Sequence, residues 1–510
     1  MKRALISVYD KTEIVHFSKG LVELGWDIIS TGGTYKLLRE NNIPVVEIDE
    51  VTNFPEILDG RVKTLNPYIH GGILFKREEK SHREKIKELG IVGIDMVVNN
   101  LYPFEETIHK ETATEEEIIE NIDIGGPSMI RAAAKNFKDV IVLIDPKDYN
   151  RVLVELKENG EIDIDTKKEF AKKVFNYTAY YDALIAQYFN EDSRDDFPEL
   201  LTLPYKKKAQ LRYGENPHQR ASFYIDHNQI EGTIAGMKQL HGKELSYNNI
   251  NDANGAISLL KEFSEPTAVA LKHVNPCGVG SAANIENAFK KAYECDRQSI
   301  FGGIVALNRE VSKELAEHLK EIFLEIIIAP NYSKEAIEIL TRKKNIRLLE
   351  IDHLSEWNYK RPSIKQVDGG LLVQDKNMDL FVEDLNIVTD EFPEEIEIDD
   401  MIFAWKVAKH ISSNGIVVAK DNATLGIGLG EVNRIWAVEE AIQRAGKKAK
   451  GAVLASDGFF PFKDSIEAIA KAEISCIIQP GGSIKDDEVV HEANESKIKM
   501  VFTDIRHFRH

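Results

Sequence analysis

Cysteine is scarce, with only Cys277, Cys295 and Cys476 among 510 residues. No CxxC spacing joins them, so neither a zinc site nor a disulfide framework is supported, and a reducing cytoplasm fits. An uninterrupted apolar run of about 18 residues, enough to span a membrane, is absent. The opening Met1-Lys2-Arg3-Ala4-Leu5-Ile6-Ser7-Val8 has too short an apolar stretch for a signal peptide. Positive charge is in deficit: 65 Lys and Arg against 84 Asp and Glu leave a formal −19. Such a chain repels nucleic acid and anionic membranes at long range, so neither is expected as a partner. Any anionic ligand must therefore meet a local cluster of cations or helix N-termini.

What remains is a globular composition, 43% hydrophobic and 29% charged, on a length that asks for roughly two to four domains. The sharpest chemical signal is Leu271-Lys272-His273-Val274-Asn275-Pro276-Cys277-Gly278. The apolar run Thr267 to Leu271 predicts a buried strand, and Pro276 and Gly278 predict that it ends there. Only at a strand end can Lys272 and His273, neighbours in sequence, share one pocket. A histidine can take a proton near neutrality while an adjacent ammonium holds developing negative charge. Taken alone, such a pair is a solvated rim, so it needs support from elsewhere.

In the N-terminal half, Ala4 to Val8 predicts a strand, and Asp10 is placed to cap a helix with apolar face Ile14, Phe17, Leu21 and Leu24. Asp27 to Ser30 predicts a second strand running into Thr31-Gly32-Gly33-Thr34 and a helix from Tyr35 to Asn41. A glycine turn with hydroxyl residues at a helix start can cradle phosphate, because bare N–H groups and the helix dipole face one point. On an extended segment Arg61 and Lys63 would face one side and suit a dianionic phosphate; the plain alternative is a basic surface turn. Met96 to Asn100 and Val140 to Ile144 complete a strand and helix alternation that signals a parallel sheet. Between them Asp123 precedes a helix with proline in its first turn, on which Arg131 and Lys135 share a face. A carboxylate and an amine so placed can divide acid and base roles. A long amphipathic helix, about 167 to 189, carries a core stripe of aromatics, and residues 191–208 read as a linker.

The C-terminal half opens on Leu211-Arg212-Tyr213-Gly214-Glu215-Asn216-Pro217-His218-Gln219, a polar, turn-rich motif that suits a ligand. A helix from Asn251 to Phe263, a helix to Cys295 and strands at Ser299–Ala306 and Glu325–Pro330 follow. Helix and strand then recur from Ile398 to Ser483, a candidate internal duplication with strands ending in Pro330 and Pro480. In the tail, Met500-Val501-Phe502 predicts a strand that would aim Arg506-His507-Phe508-Arg509-His510 at a site.

In this order the motifs resemble the bifunctional AICAR transformylase/IMP cyclohydrolase family. The matching stretches are Gly60 to Pro67 with His70 to Ile73, Asn100 to Phe104, Ile122 to Asn136, Leu211 to Gln219, Leu271 to Gly278, Ser456 to Phe462 and Arg506 to His510. The resemblance implies an α/β protein: a methylglyoxal-synthase-like parallel-sheet domain at 1–190 and a transformylase domain at 209–510. The latter would be two cytidine-deaminase-like subdomains, about 209–365 and 366–510, without the catalytic zinc. It implies formyl transfer from 10-formyltetrahydrofolate to AICAR, giving formyl-AICAR, then dehydrative closure to IMP. His273 would be the base, Lys272 the oxyanion and leaving-group partner, and Asn414 would orient the formyl group. Arg212, Tyr213, Gly302, Arg434 and Arg506 match nucleotide-binding positions, and Glu325, Phe459, Asp464, Gly481 and Gly482 the folate neighbourhood. For ring closure the resemblance implies Lys135, Asp123 and Tyr102 as the proton-transfer set and Lys63 with Thr31, Gly32, Gly33 and Thr34 as holding groups. Tyr9, Asp10, Lys11, Arg61, Thr64 and Asn100 would support them. It further implies a homodimer in the cytoplasm, no catalytic metal and, as an option, a structural monovalent cation. Three positions depart from the family pattern: Asn66 where histidine is common, Asn99 where an apolar residue or cysteine is, and Asp504 where glycine is.

Overall fold

The computed structural model describes residues 2–190, 197–227, 231–354, 362–382 and 385–510, so the first six residues of the expected linker lie outside it. The chain divides into two compact units, Met1–Tyr205 and Lys206–His510.

The first unit is built on a five-stranded sheet. Its strands are β1 (Arg3–Ile6), β2 (Asp27–Ser30), β3 (Val46–Glu47), β4 (Met96–Val98) and β5 (Ile141–Leu143). They lie in the order β3-β2-β1-β4-β5 and all pair in parallel. Leu5, Ile6, Met96, Val97 and Val98 are wholly buried, as expected of a sheet covered by helices on both faces. Chain order reverses between β1 and β4, so the loops leaving their C-terminal ends part and open a crevice there. Two expected helix starts move. The helix Ile14–Glu23 begins four residues after Asp10, whose carboxylate instead accepts from the Thr12 N–H at 2.9 Å. The helix after β2 starts at Gly32, so the Thr-Gly-Gly-Thr turn is itself its first turn, with Thr31 as the extended N-cap residue.

The second unit is organised by a twelve-stranded mixed sheet. Its first half runs helix Tyr247–Leu260, strand Thr267–Lys272, strand Asn275–Ser281, helix Ile285–Cys295, then strands Ile304–Leu307, Ile326–Ala329 and Arg347–Glu350. The second half repeats that order: helix Glu395–Ala408, strands Ile416–Lys420 and Ala423–Gly428, helix Arg434–Ala445, then strands Val453–Ser456, Cys476–Gln479 and Lys499–Phe502. The halves meet where Asn275–Ser281 pairs antiparallel with Ala423–Gly428. The duplication reaches single residues. Cβ atoms at Gly278 and Gly280 would stand 2.0 and 2.6 Å from the carbonyls of Ala292 and Ala288, and at Gly426 and Gly428 2.1 and 2.0 Å from those of Ala441 and Ala437. Only glycine lets each helix lie that close on its strand.

Two strand predictions need correction. Pro276 and Gly278 do not stop the strand with Lys272; they lie in the returning strand of a hairpin. Lys272 pairs with Asn275, so the connection is the two residues His273 and Val274 alone. Likewise Ser299 to Gly303 forms a turn, and the strand begins at Ile304. The Asp296 carboxylate accepts from the N–H groups of Gln298 and Ser299 at 3.1 and 2.8 Å, and Gly302 takes φ 74°, conditions no strand meets.

Candidate functional site

The crevice of the first unit is a cavity of about 510 Å³. It gathers Tyr9, Lys11, Thr31, Gly32, Gly33, Thr34, Arg61, Lys63, Thr64, Asn100, Tyr102 and Asp123. Asn100 follows β4 and ties down the loop after β1: its Oδ1 accepts from Tyr9 N–H at 2.6 Å and Asp10 N–H at 2.8 Å. Asp10 thus shapes the rim and is not itself a lining residue. Its bonds from Thr12 hold its carboxyl below the usual range. Lys11 donates to the Val8 carbonyl and, at 3.2 Å, to Thr34 Oγ1, and burial lowers its pKa. Lys63 reaches the glycine turn: a Cβ at Gly32 would stand 3.6 Å from its Nζ. Arg61 and Lys63 do not share an extended segment, because Arg61, closing the 3₁₀ turn Leu58–Gly60, has a helical backbone at φ −62° and ψ −27°. Arg61 instead pairs with Glu120, and Lys63 with Glu56 at 3.2 Å.

Asp123 stands just ahead of the helix Gly125–Lys135, where Oδ1 accepts from the Gly126 N–H at 2.8 Å. A Cβ at Gly126 would come 2.4 Å from Asp123 Oδ2, so the glycine makes room for the carboxylate. Burial raises its pKa against the opposing pull of the Gly126 and Tyr102 N–H groups and of Lys63. Tyr9 and Tyr102 meet edge to face, ring centroids 6.1 Å apart. Lys135 is elsewhere. It closes the same helix, roughly 15 Å along the axis from its start, and lines a separate groove with Arg131, Lys168, Lys172 and Phe175. The structure does not bring Lys135 to Asp123.

In the second unit the strand directions converge on one sheet edge. Lys272 ends its strand beside the start of the neighbouring antiparallel strand, Leu271 opposite Ile304. The second half is turned about, so Ile416 lies opposite Ser456, the end of its antiparallel neighbour. The edge therefore combines strand beginnings of one half with strand ends of the other. On the first-half side, Lys272 Nζ donates to the Phe301 carbonyl at 2.8 Å, and Gly302 N–H to that of Phe323 at 2.7 Å. Phe301 and Phe323 pack with centroids 5.1 Å apart, both largely exposed. Glu325 pairs with Arg347 at 2.7 Å. Arg212 lies over the ring of Tyr213, and their loop is tied to the start of the helix Tyr247–Leu260 by Asn248 Nδ2 on the Glu215 carbonyl at 3.3 Å.

On the second-half side, buried Arg434 sends Nη1 to Ser456 Oγ at 2.8 Å and Asp457 Oδ1 at 2.6 Å, and Nη2 to Asn414 Oδ1 at 2.7 Å. Asn414 Nδ2 donates to the Glu431 carbonyl at 2.8 Å. Ser413 Oγ donates to Asp457 Oδ2 and accepts from the Arg509 N–H at 3.0 Å, while His507 N–H donates to the Asp457 carbonyl at 2.9 Å. The tail is thus tied to this cluster. Regular pairing ends at Phe502, and Arg506 is exposed over the ring of Phe508. Phe459 follows Gly458 in the adjoining loop, which Phe460 N–H ties to Gln479 Oε1 at 3.2 Å, just ahead of Gly481 and Gly482. Asp464 opens the next helix, exposed. Asn275 joins the two sides: its Oδ1 accepts from Ser412 N–H at 3.0 Å and its Nδ2 donates to the His273 carbonyl at 3.2 Å.

The sequence reading did not single out Asn275, Asp457, Phe301 or Phe323. The charge of Asp457 in an apolar strand exit was its only signal. The departures have local explanations. Asn66 caps the helix Pro67–Leu74, accepting from Tyr68 N–H at 2.9 Å. Asn99 is buried and donates to the Ser7 carbonyl. Asp504 sits at φ 56°, where glycine is at home and aspartate is tolerated. Among the described residues, no group of three or more His, Cys, Asp or Glu is placed to hold a metal ion.

The family described as AICARFT/IMPCHase bienzyme matches residues 133–444, and an MGS-like domain matches 13–128. The chain belongs to the bienzyme family. Curated relatives named bifunctional purine biosynthesis protein PurH are similar over the whole of both chains. They are 57% identical in Caldicellulosiruptor saccharolyticus, 57% in a Thermoanaerobacter species and 55% in Bacillus subtilis. The bienzyme is a bifunctional enzyme of purine biosynthesis, an AICAR transformylase and IMP cyclohydrolase that uses formyltetrahydrofolate as co-substrate.

Proposed function

We propose that the edge formed by Lys272, His273 and Asn414 carries formyl transfer and that the crevice around Asp123 carries ring closure. The observation that supports the first most is the union of the His273 hairpin with the Asn414, Arg434 and Asp457 cluster through Asn275. The amine of AICAR attacks the formyl carbon of 10-formyltetrahydrofolate, and His273 takes the amine proton. The exposed ammonium of Lys272 stabilises the oxyanion and returns a proton to the departing folate nitrogen. Such positioned acid and base groups contribute about 10²- to 10⁴-fold. Asn414 spends Oδ1 on Arg434 and one Nδ2 hydrogen on Glu431, leaving its second Nδ2 hydrogen for the formyl oxygen. Phe301 and Phe323 offer a flat apolar surface to the folate ring system. Arg212, Tyr213 and Arg506 supply nucleotide contacts, with Glu325, Phe459, Asp464, Gly481 and Gly482 on the folate side.

In the crevice, the backbone of Thr31 to Thr34 at its helix start, with Lys11, Lys63 and Arg61, receives the phosphate of formyl-AICAR. The carboxamide nitrogen attacks the formyl carbon and water leaves, with Asp123 and Tyr102 moving the protons. Lys135 belongs to this chemistry from a second copy of the chain, since its own helix carries it away from Asp123. A homodimer in the cytoplasm, protein groups in place of a catalytic metal, and an optional structural monovalent cation complete the proposal. The test is to incubate the purified chain with AICAR and 10-formyltetrahydrofolate and follow IMP and tetrahydrofolate together. Equal appearance is expected; tetrahydrofolate with accumulating formyl-AICAR would overturn the ring-closure assignment, and neither product would overturn both.

A further inference from the structure

Both halves of the large sheet turn in the same way, with a two-residue hairpin after a lysine. In the second half the turn is Asp421-Asn422, at φ 56° and 54°; in the first it is His273-Val274, at φ 53° and 64°. Two positive φ values in succession are what such hairpins require. Asparagine and aspartate enter that region readily, but a β-branched residue there is a true outlier. The flanking lysines correspond too: Lys420 Nζ lies 3.5 Å from the Lys450 carbonyl, as Lys272 lies 2.8 Å from that of Phe301.

Each turn is held from below by one aspartate on the preceding helix. Asp400 accepts from the N–H groups of Asp421 and Asn422 at 2.9 and 2.7 Å. Asp252 accepts from the Val274 N–H at 2.8 Å, and the backbone of His273 bears on the same carboxylate. We infer that Asp252 is a positioning residue for formyl transfer: it holds the strained His273-Val274 turn and thereby aims the imidazole, while Asp400 performs the same structural task with no part in the reaction. The inference rests on the proposed role of His273. Asp252 also lies on the helix whose first turn holds the Arg212 loop through Asn248, so one helix registers the base and the nucleotide-binding loop together.

The duplication supplies the matched control. Asp252→Ala should lower kcat for formyl transfer at least tenfold with KM for AICAR within twofold, ring closure of supplied formyl-AICAR being unchanged. Asp400→Ala, the same lesion in the other half, should leave kcat within twofold. Asp252→Asn keeps one acceptor for Val274 and should retain more activity than Asp252→Ala, which keeps the test decisive if the alanine variant folds poorly. Adding Val274→Asn, the residue the other half carries, should restore most of the loss, because the turn then needs less holding. Equal kcat losses in the Asp252 and Asp400 variants, or no recovery with Val274→Asn, would overturn the positioning role. A His273→Ala variant as active as its parent would instead overturn the reading of His273, and the inference with it.

Discussion

Arg434 Nη2 stands 2.7 Å from Asn414 Oδ1 and thereby settles which way round that amide faces. With oxygen toward the guanidinium and nitrogen toward the Glu431 carbonyl, one N–H remains to meet an incoming oxygen. Asn414→Asp should preserve the contact with Arg434 and place negative charge where the oxyanion forms. Loss of an oxyanion donor costs about 10²- to 10³-fold in kcat, and the aspartate should fall at least that far in a single-turnover assay. Asn414→Asp activity within threefold of the parent would contradict the assigned orientation.

Ring closure should separate from protein stability at Asp123. Burial raises this carboxyl, so the folded state binds more protons than the unfolded state between the unfolded pKa, about 3.9, and the raised folded value. Stability contributed by this group is therefore present below the unfolded pKa and falls as pH rises through that window. Asp123→Asn should remove the fall, giving a smaller drop in melting temperature between about pH 4 and about pH 7, while abolishing IMP formation from formyl-AICAR. An undiminished drop would show that the carboxylate is not the group responsible.

Lys63 and Lys135 should complement each other between chains. Lys63 lines the crevice with Asp123, whereas Lys135 lines another groove. Lys63→Ala and Lys135→Ala should each abolish ring closure. Mixed, dissociated and reassociated, they should recover it, because a hybrid dimer has one crevice with Lys63 from one copy and Lys135 from the other. No recovery, with hybrid formation verified by mass spectrometry, would remove Lys135 from the proposed machinery.

A stability prediction lies away from both sites. Glu262 is buried between Lys409 at 3.0 Å and His410 at 2.8 Å. Burial pushes its carboxyl up, but the His410 bond and the neighbouring Lys409 charge prevail, leaving it below the usual range. Its stabilisation is present above the unfolded pKa and lost as pH falls through the folded one. Glu262→Gln removes the counter-ion of Lys409, whose Nζ keeps only the Met378 carbonyl at 2.8 Å as a neutral acceptor beside the new amide, and should cost about 3–5 kcal/mol in denaturant unfolding of the second unit. A loss below about 1 kcal/mol would mean that the pair is solvated.

Periodicity carried much of the architecture. Alternating strands and helices foretold the parallel sheet, and the matched strands before Pro330 and Pro480 pointed to the repeat. The Lys272-His273 strand end was legible for a partly mistaken reason: Pro276 and Gly278 looked like stops, while the turn lay at His273-Val274, where a β-branched valine is among the last residues propensity would choose for positive φ. What holds that turn, Asp252, is 22 residues away in sequence, beyond any local pattern. Ser299 to Ala306 looked like one apolar strand because nothing in its composition shows that Asp296 captures the N–H and the hydroxyl of Ser299. The shared face of Arg131 and Lys135 was visible in the helical repeat, but face says nothing of axial distance, and rise along the helix separates Lys135 from Asp123.

The glycines under both helices of the large sheet show how far the two halves have been kept alike, and the turns show where they parted. A single half paired with its own copy would build a sheet with two identical rims, each joining strand beginnings to strand ends. With both halves in one chain, no such symmetry binds the rims. One rim carries the relaxed Asp421-Asn422 corner and the other a corner with a β-branched residue, His273-Val274, so the two ends of the sheet can present different chemistry although the halves that build them share one plan.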